Sequence, residues 1–261
     1  MKVVILCGGF GTRIRDVAQD IPKPLVPVGG FPILWHIMKY YSCYGHNDFI
    51  LCLGYKSNVI KDYFFNYEMH SRDFTLDFSK GKSVVFHDDF NQFNWRITFA
   101  ETGLDSGTGG RIRRIRRYLE GEENFMLTYG DGVGNVDLNS LEHFHTSHGK
   151  TLTVTGVYPP GRFGEIKEDE NGLVTEFNEK PQATGGRISG GFFVCRHDLF
   201  DHLDDRDDLT FEEEPVRSLV RNQEMMVYRH DGFWMPMDTF RDYKLLNSLC
   251  EKGQAPWMIW K

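Results

Sequence analysis

Apolar residues along the first half of the chain fall into short unbroken runs separated by amphipathic stretches. Val3 to Cys7, Phe49 to Leu53 and Phe125 to Tyr129 are runs of the kind that a parallel sheet buries on both faces. Between the first two, apolar positions recur at helical spacing from Ile33 to Tyr41, with Pro32 acceptable in the first turn, and Val59 to Asn66 reads as the next helix. Strand and helix alternating at this spacing imply parallel crossover units. In such a sheet the ligand crevice lies beyond the carboxyl ends of the strands.

The rhythm changes after residue 67. Ser83 to His87 and Trp95 to Phe99 are short β candidates in a charged, aromatic stretch, read here as an excursion from the sheet. A helix is expected over Ile112 to Tyr118 and another over Leu138 to His148, with strands at Thr151 to Tyr158 and Ile188 to Cys195. Asn171-Gly172 signals a hairpin between Glu165-Ile166 and Leu173 to Phe177. Thr210 with Glu213 three residues on spells a capping box, and Met225 to Arg229 is a late strand. Arg241 to Cys250 closes as a helix, and the aromatic tail Pro256 to Trp260, if exposed, would suit a subunit contact.

At 261 residues the chain fits a single domain, roughly a half at 1–132, a second half at 133–240 and a closing segment at 241–261. Its formal charge of −7 disfavours nucleic acid or an anionic membrane as a partner, so any phosphate must be met by local cations. Five cysteines, widely spaced and without metal-ligand spacing, read as reduced core residues of a cytoplasmic protein. There is no apolar leader and no stretch of membrane-spanning length.

Candidate chemistry gathers at the strand ends. The first run stops at Gly8-Gly9-Phe10-Gly11, where glycines allow a sharp turn and close approach of backbone N–H groups to an anion. Neither a P-loop nor a dinucleotide fingerprint is spelled there, since Lys-Ser/Thr is missing and position 14 is Ile. Arg13 and Lys23, the latter between two prolines, are instead two cations suited to a phosphate chain. A second glycine-rich loop runs from Glu101 to Arg111; Arg113, Arg114, Arg116 and Arg117 beyond it read as a solvated helix face, and the acidic stretch Asp201 to Asp208 as a solvated loop. Asp131, between glycines at the tip of the third run, is positioned for a hard divalent cation whose shell substrate phosphates would complete. His143, His145 and His148 do not share one helical face and are not read as a zinc site, and His36 is assigned no role.

The opening GGxGTR with its Pro-Lys-Pro resembles the signature of the sugar-phosphate nucleotidyltransferases. Segments 32–38, 128–132, 159–164 and 232–239 resemble the branch of that family that takes CTP and glucose 1-phosphate, and the likeness runs nearly end to end. It implies an α/β fold with a Rossmann-like, mixed but mainly parallel central sheet flanked by helices, GT-A-like, with small β excursions. By the same resemblance Leu6, Gly8, Gly9, Gly11, Thr12, Arg13, Lys23, Ser106, Thr108, Gly109, Arg111 and Gly130 would meet the nucleotide. Gly164, Glu179, Lys180, Gly190, Gly191 and Trp234 would meet the sugar phosphate, and Asp238 would join Asp131 on Mg²⁺. The implied reaction is in-line cytidylyl transfer with Arg13 and Lys23 as the catalytic cations, in a homo-oligomer. A pyrophosphorylase using UTP, dTTP or another sugar phosphate, and a noncatalytic nucleotide-sugar sensor, remain the alternatives.

Overall fold

The computed structural model describes residues 1–11, 21–79, 81–87, 93–159, 165–168, 174–178 and 186–260. Its centre is an eight-stranded mixed sheet. The strands are β1 (Val3–Leu6), β2 (Asp48–Leu53), β3 (Arg96–Glu101), β4 (Asn124–Tyr129), β5 (Leu152–Val157), β6 (Ile188–Ser189), β7 (Phe193–Arg196) and β8 (Met225–Arg229). β4, β1, β2 and β3 lie side by side and parallel, with Val3 opposite both Phe49 and Met126. β7 joins β4 antiparallel, β5 follows it antiparallel, and β8 pairs with β5 in parallel.

The apolar runs behave as runs buried on both faces must, because successive side chains point to opposite sides of a strand. Val3 and Ile5 enter one core with Ile33, Ile37 and Met38 of helix α1 (Ile33–Cys43), whereas Val4 enters a second core with Ile112, Phe125 and Leu219. Among the described residues the longer helices besides it are α2 (Ser57–Phe65), α3 (Thr108–Arg114), α4 (Leu138–His148), α5 (Glu214–Arg221) and α6 (Phe240–Glu251), and a short helix, Tyr67–Ser71, follows α2. Among the described residues no helix is long and apolar enough to cross a membrane.

Several expectations are corrected. Residues 96–99 belong to the main sheet's parallel edge strand β3, while Phe74–Asp77 and Ser83–Phe86 pair as a hairpin apart from it. The expected strand over 188–195 is broken at Gly191 and Phe192, both at positive φ, into β6 and β7. Thr210 caps no helix: α5 begins at Glu214 without a side-chain cap, and the capping box belongs to Thr239 and Asp242 at α6. The aromatic tail folds back on its own chain, with Trp257 fully buried and donating Nε1–H to His36 Nδ1 at 3.3 Å. The aspartates of the acidic stretch are exposed, as expected of a solvated loop, and across that surface Arg114 donates to Asp207 at 2.6 Å and Arg113 binds Asp205. Strands Glu165–Glu168 and Val174–Asn178 pair antiparallel as expected, while the Asn171-Gly172 turn lies outside the described residues.

Candidate active site

The carboxyl ends of β1 and β4 and the loop after β3 converge on a cleft of about 580 Å³. Its floor is Leu6 to Gly11 and Gly130, one wall is Leu104 to Thr108, and Lys23, Asp131 and Asp238 stand together in its lining. Lys23 is held by a single turn of 3-10 helix, Lys23–Leu25, which Pro22 and Pro24 pre-set and Leu25 N–H closes on Pro22 O at 2.8 Å. Its ammonium donates to Asp131 Oδ2 at 2.6 Å and to Asp238 Oδ1 at 2.7 Å. Burial pulls the Lys23 pKa down, but the two carboxylates more than offset this and leave it raised, so the lysine is charged.

Residues 131 and 238 are far apart in the chain and are brought together by a ribbon that neither sequence segment announces. Gly132–Gly134 pairs antiparallel with Trp234–Pro236, setting Pro236 opposite Gly132, and Met237 N–H donates to Asp131 O at 2.8 Å. Immediately beyond, the Asp242 carboxylate accepts the N–H groups of Asp238 and Thr239, so the N-terminus of α6 pins the backbone of Asp238.

Arg111 lines the cleft, but its guanidinium is taken up by the protein's own backbone. It is buried, and its guanidinium donates to the carbonyls of Leu53, Gly103, Gly8 and Leu104 and to Thr102 Oγ1, all within 3.1 Å. It therefore ties together the loops after β1, β2 and β3 from beneath the cleft. Gly8 and Gly54 are glycines for this reason, because a Cβ would stand 2.1 Å and 2.5 Å from Arg111 Nη1.

Of the other expected residues, Leu6, Gly8, Gly9, Gly11, Ser106, Thr108 and Gly130 line the cleft. Gly109 does not: its N–H donates to Leu209 O at 2.8 Å and its face packs on the Leu209 side chain. Gly190, Gly191 and Trp234 lie behind the lining, Trp234 Nε1–H bonding Gly190 O at 2.7 Å and Gly191 backing onto the Tyr129 ring. Thr12, Arg13, Gly164, Glu179 and Lys180 lie outside the described residues. Sequence reasoning missed Tyr129, Phe10, Leu104, Asp105 and Thr210 in the lining. Tyr129 carried a usable signal, being the last residue of a buried strand directly before Gly130-Asp131.

Residues 2–252 match the family model described as nucleotidyl transferase. The chain belongs to the nucleotidyltransferase family. It is similar over its whole length to the glucose-1-phosphate cytidylyltransferase of Salmonella typhi, with 47% identity and 100% of both chains covered. The probable glucose-1-phosphate cytidylyltransferase of Bacillus subtilis (strain 168) is 45% identical, again with 100% of both covered. Among solved structures, HddC from Yersinia pseudotuberculosis superposes with a TM-score of 0.66 at 25% identity, covering 97% of this chain and 99% of that one. Nucleotidyl transfer in general asks for positioning and neutralising phosphates and needs no nucleophilic side chain. Burial pushes the thiol of Cys7, which is in the lining, well above its ordinary range.

Whether a divalent cation fits can be judged from the donors. Two carboxylates within hydrogen-bond reach of one ammonium are hard oxygen ligands already facing a common point. Among the described residues no group of three or more His, Cys, Asp or Glu gathers as a metal site, in the cleft or elsewhere; a cation on these two carboxylates would take its remaining ligands from substrate phosphates and water. The donor set fits a hard cation shared with a nucleotide.

Proposed function

We propose that this chain, as one domain spanning 1–261, transfers the cytidylyl group of CTP to α-D-glucose 1-phosphate, giving CDP-glucose and pyrophosphate. The observation that carries the reaction class is the convergence of Lys23, Asp131 and Asp238 in one cleft at the strand ends. The choice of CTP and glucose 1-phosphate is supported by full-length similarity to two curated relatives named for that activity.

A phosphate oxygen of the sugar 1-phosphate attacks the α-phosphorus of CTP, the bond to the β-phosphate breaks in line, and pyrophosphate leaves. The backbone N–H groups of the Gly8 to Gly11 loop bind the phosphates, and Lys23 with Arg13 neutralises the charge that builds on the leaving group. Two carboxylates facing a triphosphate set like charges against each other, and a cation held between them would relieve that repulsion. Asp131 and Asp238 would hold Mg²⁺, which when bound would supply charge neutralisation at the phosphates. Gly164, Glu179, Lys180, Gly190, Gly191 and Trp234 are assigned to the sugar phosphate. Cytoplasmic residence and a homo-oligomer complete the proposal.

A pyrophosphate-release panel of CTP, UTP, dTTP and GTP against several sugar 1-phosphates with Mg²⁺ tests it. Release from CTP with glucose 1-phosphate is expected. Preference for UTP or dTTP would defeat the cytidylyl assignment, and nucleotide binding without release would make the chain a sensor.

A further inference from the structure

Glu212 belongs to no motif of the sequence and does not itself line the cleft, yet it grips two residues that do. Its Oε1 accepts the Tyr129 hydroxyl at 2.5 Å and its Oε2 accepts the Thr108 hydroxyl at 2.6 Å. Thr108 opens helix α3 on one wall, and Tyr129 ends strand β4 beside Asp131. Thr108 Oγ1 also accepts the N–H of Phe211, whose side chain is fully buried, so the carboxylate's own backbone is anchored at its neighbour.

The segment before Glu212 is latched to the same wall. Gly107 N–H donates to Asp207 O, and Leu209 O accepts the N–H groups of Gly109 and Gly110. A Cβ at Gly107 would fall 2.3 Å from Leu209 O and one at Gly110 2.3 Å from Asp207 O, so the two segments touch backbone to backbone. The amide groups of Gly107, Gly109 and Gly110 are thus used inside the protein. Of the side chains in the lining, those of Thr108 and Tyr129 are oriented by one carboxylate.

We infer that Glu212 is a positioning residue for the nucleotide. By drawing the hydrogens of both hydroxyls to itself it fixes the Thr108 wall against the end of β4 and turns both oxygens into acceptors for donor groups of the bound substrate. This deepens the proposed function and rests on the cleft being the nucleotide site.

The sign of one substitution separates this role from that of a bystander. A bystander carboxylate near a polyanion repels it, so Glu212→Gln would tighten CTP binding. Positioning predicts the opposite: calorimetry should find Glu212→Gln about tenfold weaker for CTP, with kcat within about twofold. The paired variant Thr108→Val with Tyr129→Phe reaches the same arrangement from the other side. It should weaken CTP comparably, and adding Glu212→Gln to it should change nothing further. Unchanged or tighter binding in Glu212→Gln, or additive losses in the triple variant, would overturn the inference. Lys23→Met separates the two levels: loss of CTP binding there with none in Glu212→Gln defeats the role of Glu212 alone, while retention in both defeats the cleft as well. Circular-dichroism melting on each variant confirms that the fold persists, as the exposed position of Glu212 leads one to expect.

Discussion

The two glycine-rich loops read alike in the sequence and are used in different ways. In the first, Gly9 has nothing within 4 Å of where a Cβ would stand and lines the cleft, so its space is available to a ligand. In the second, Gly107, Gly109 and Gly110 are packed against Asp207 to Leu209 of the same chain, at distances no Cβ could share. A run of glycines marks a place where something approaches the backbone closely. Whether that something is a phosphate or another part of the protein is a matter of what the fold delivers there.

The largest effect that would break this comparison lies beside the first loop. Asp131→Ala and Lys23→Ala should each lower turnover about 10²-fold or more while circular dichroism stays unchanged, because each removes a charge aimed at the reacting phosphates. Near-normal turnover in either would empty the cleft of its assigned role. Next comes the second loop: Gly110→Ala drives a methyl group into Asp207 O, and a stability loss of about 1–3 kcal/mol is expected in urea denaturation. Wild-type stability there would mean that the contact with the 207–209 segment is loose. Gly9→Ala should do the reverse, leaving stability within about 1 kcal/mol of wild type while CTP affinity drops several-fold. If Gly9→Ala instead unfolds the protein and spares CTP, the contrast between the loops is wrong.

The smallest expected effect is a pH dependence. The folded pKa of Lys23 lies above that of a free lysine, so its ion pairs contribute fully below about pH 10.4 and are lost as pH rises through the folded value. Alkaline denaturation of the wild type should therefore steepen in that range relative to Lys23→Met. Parallel curves would show the raised pKa to be without thermodynamic weight.

The parallel core was legible because it depends on local pattern: Val3 to Cys7 can be buried on both faces only as a central strand, and the crossover spacing follows. Lys23 was legible because two prolines fix its backbone in any context. Arg111 was not, since nothing in its neighbourhood says that four carbonyls and a hydroxyl from three separate loops will surround its guanidinium. The ion pairs of Arg113 and Arg114 with Asp205 and Asp207 were hidden for the same reason, as were the burial of Trp257 and the role of Thr210 in the cleft lining.

By itself the sequence determined the elements whose causes are local: which runs are strands, where the chain must turn, and which charged residues sit next to turns at strand ends. The tertiary structure decided which of those charges meet. Asp131 and Asp238 come together because a two-stranded ribbon sets Pro236 opposite Gly132, and an antiparallel register between distant segments is a property of the folded chain that no window of neighbouring residues contains.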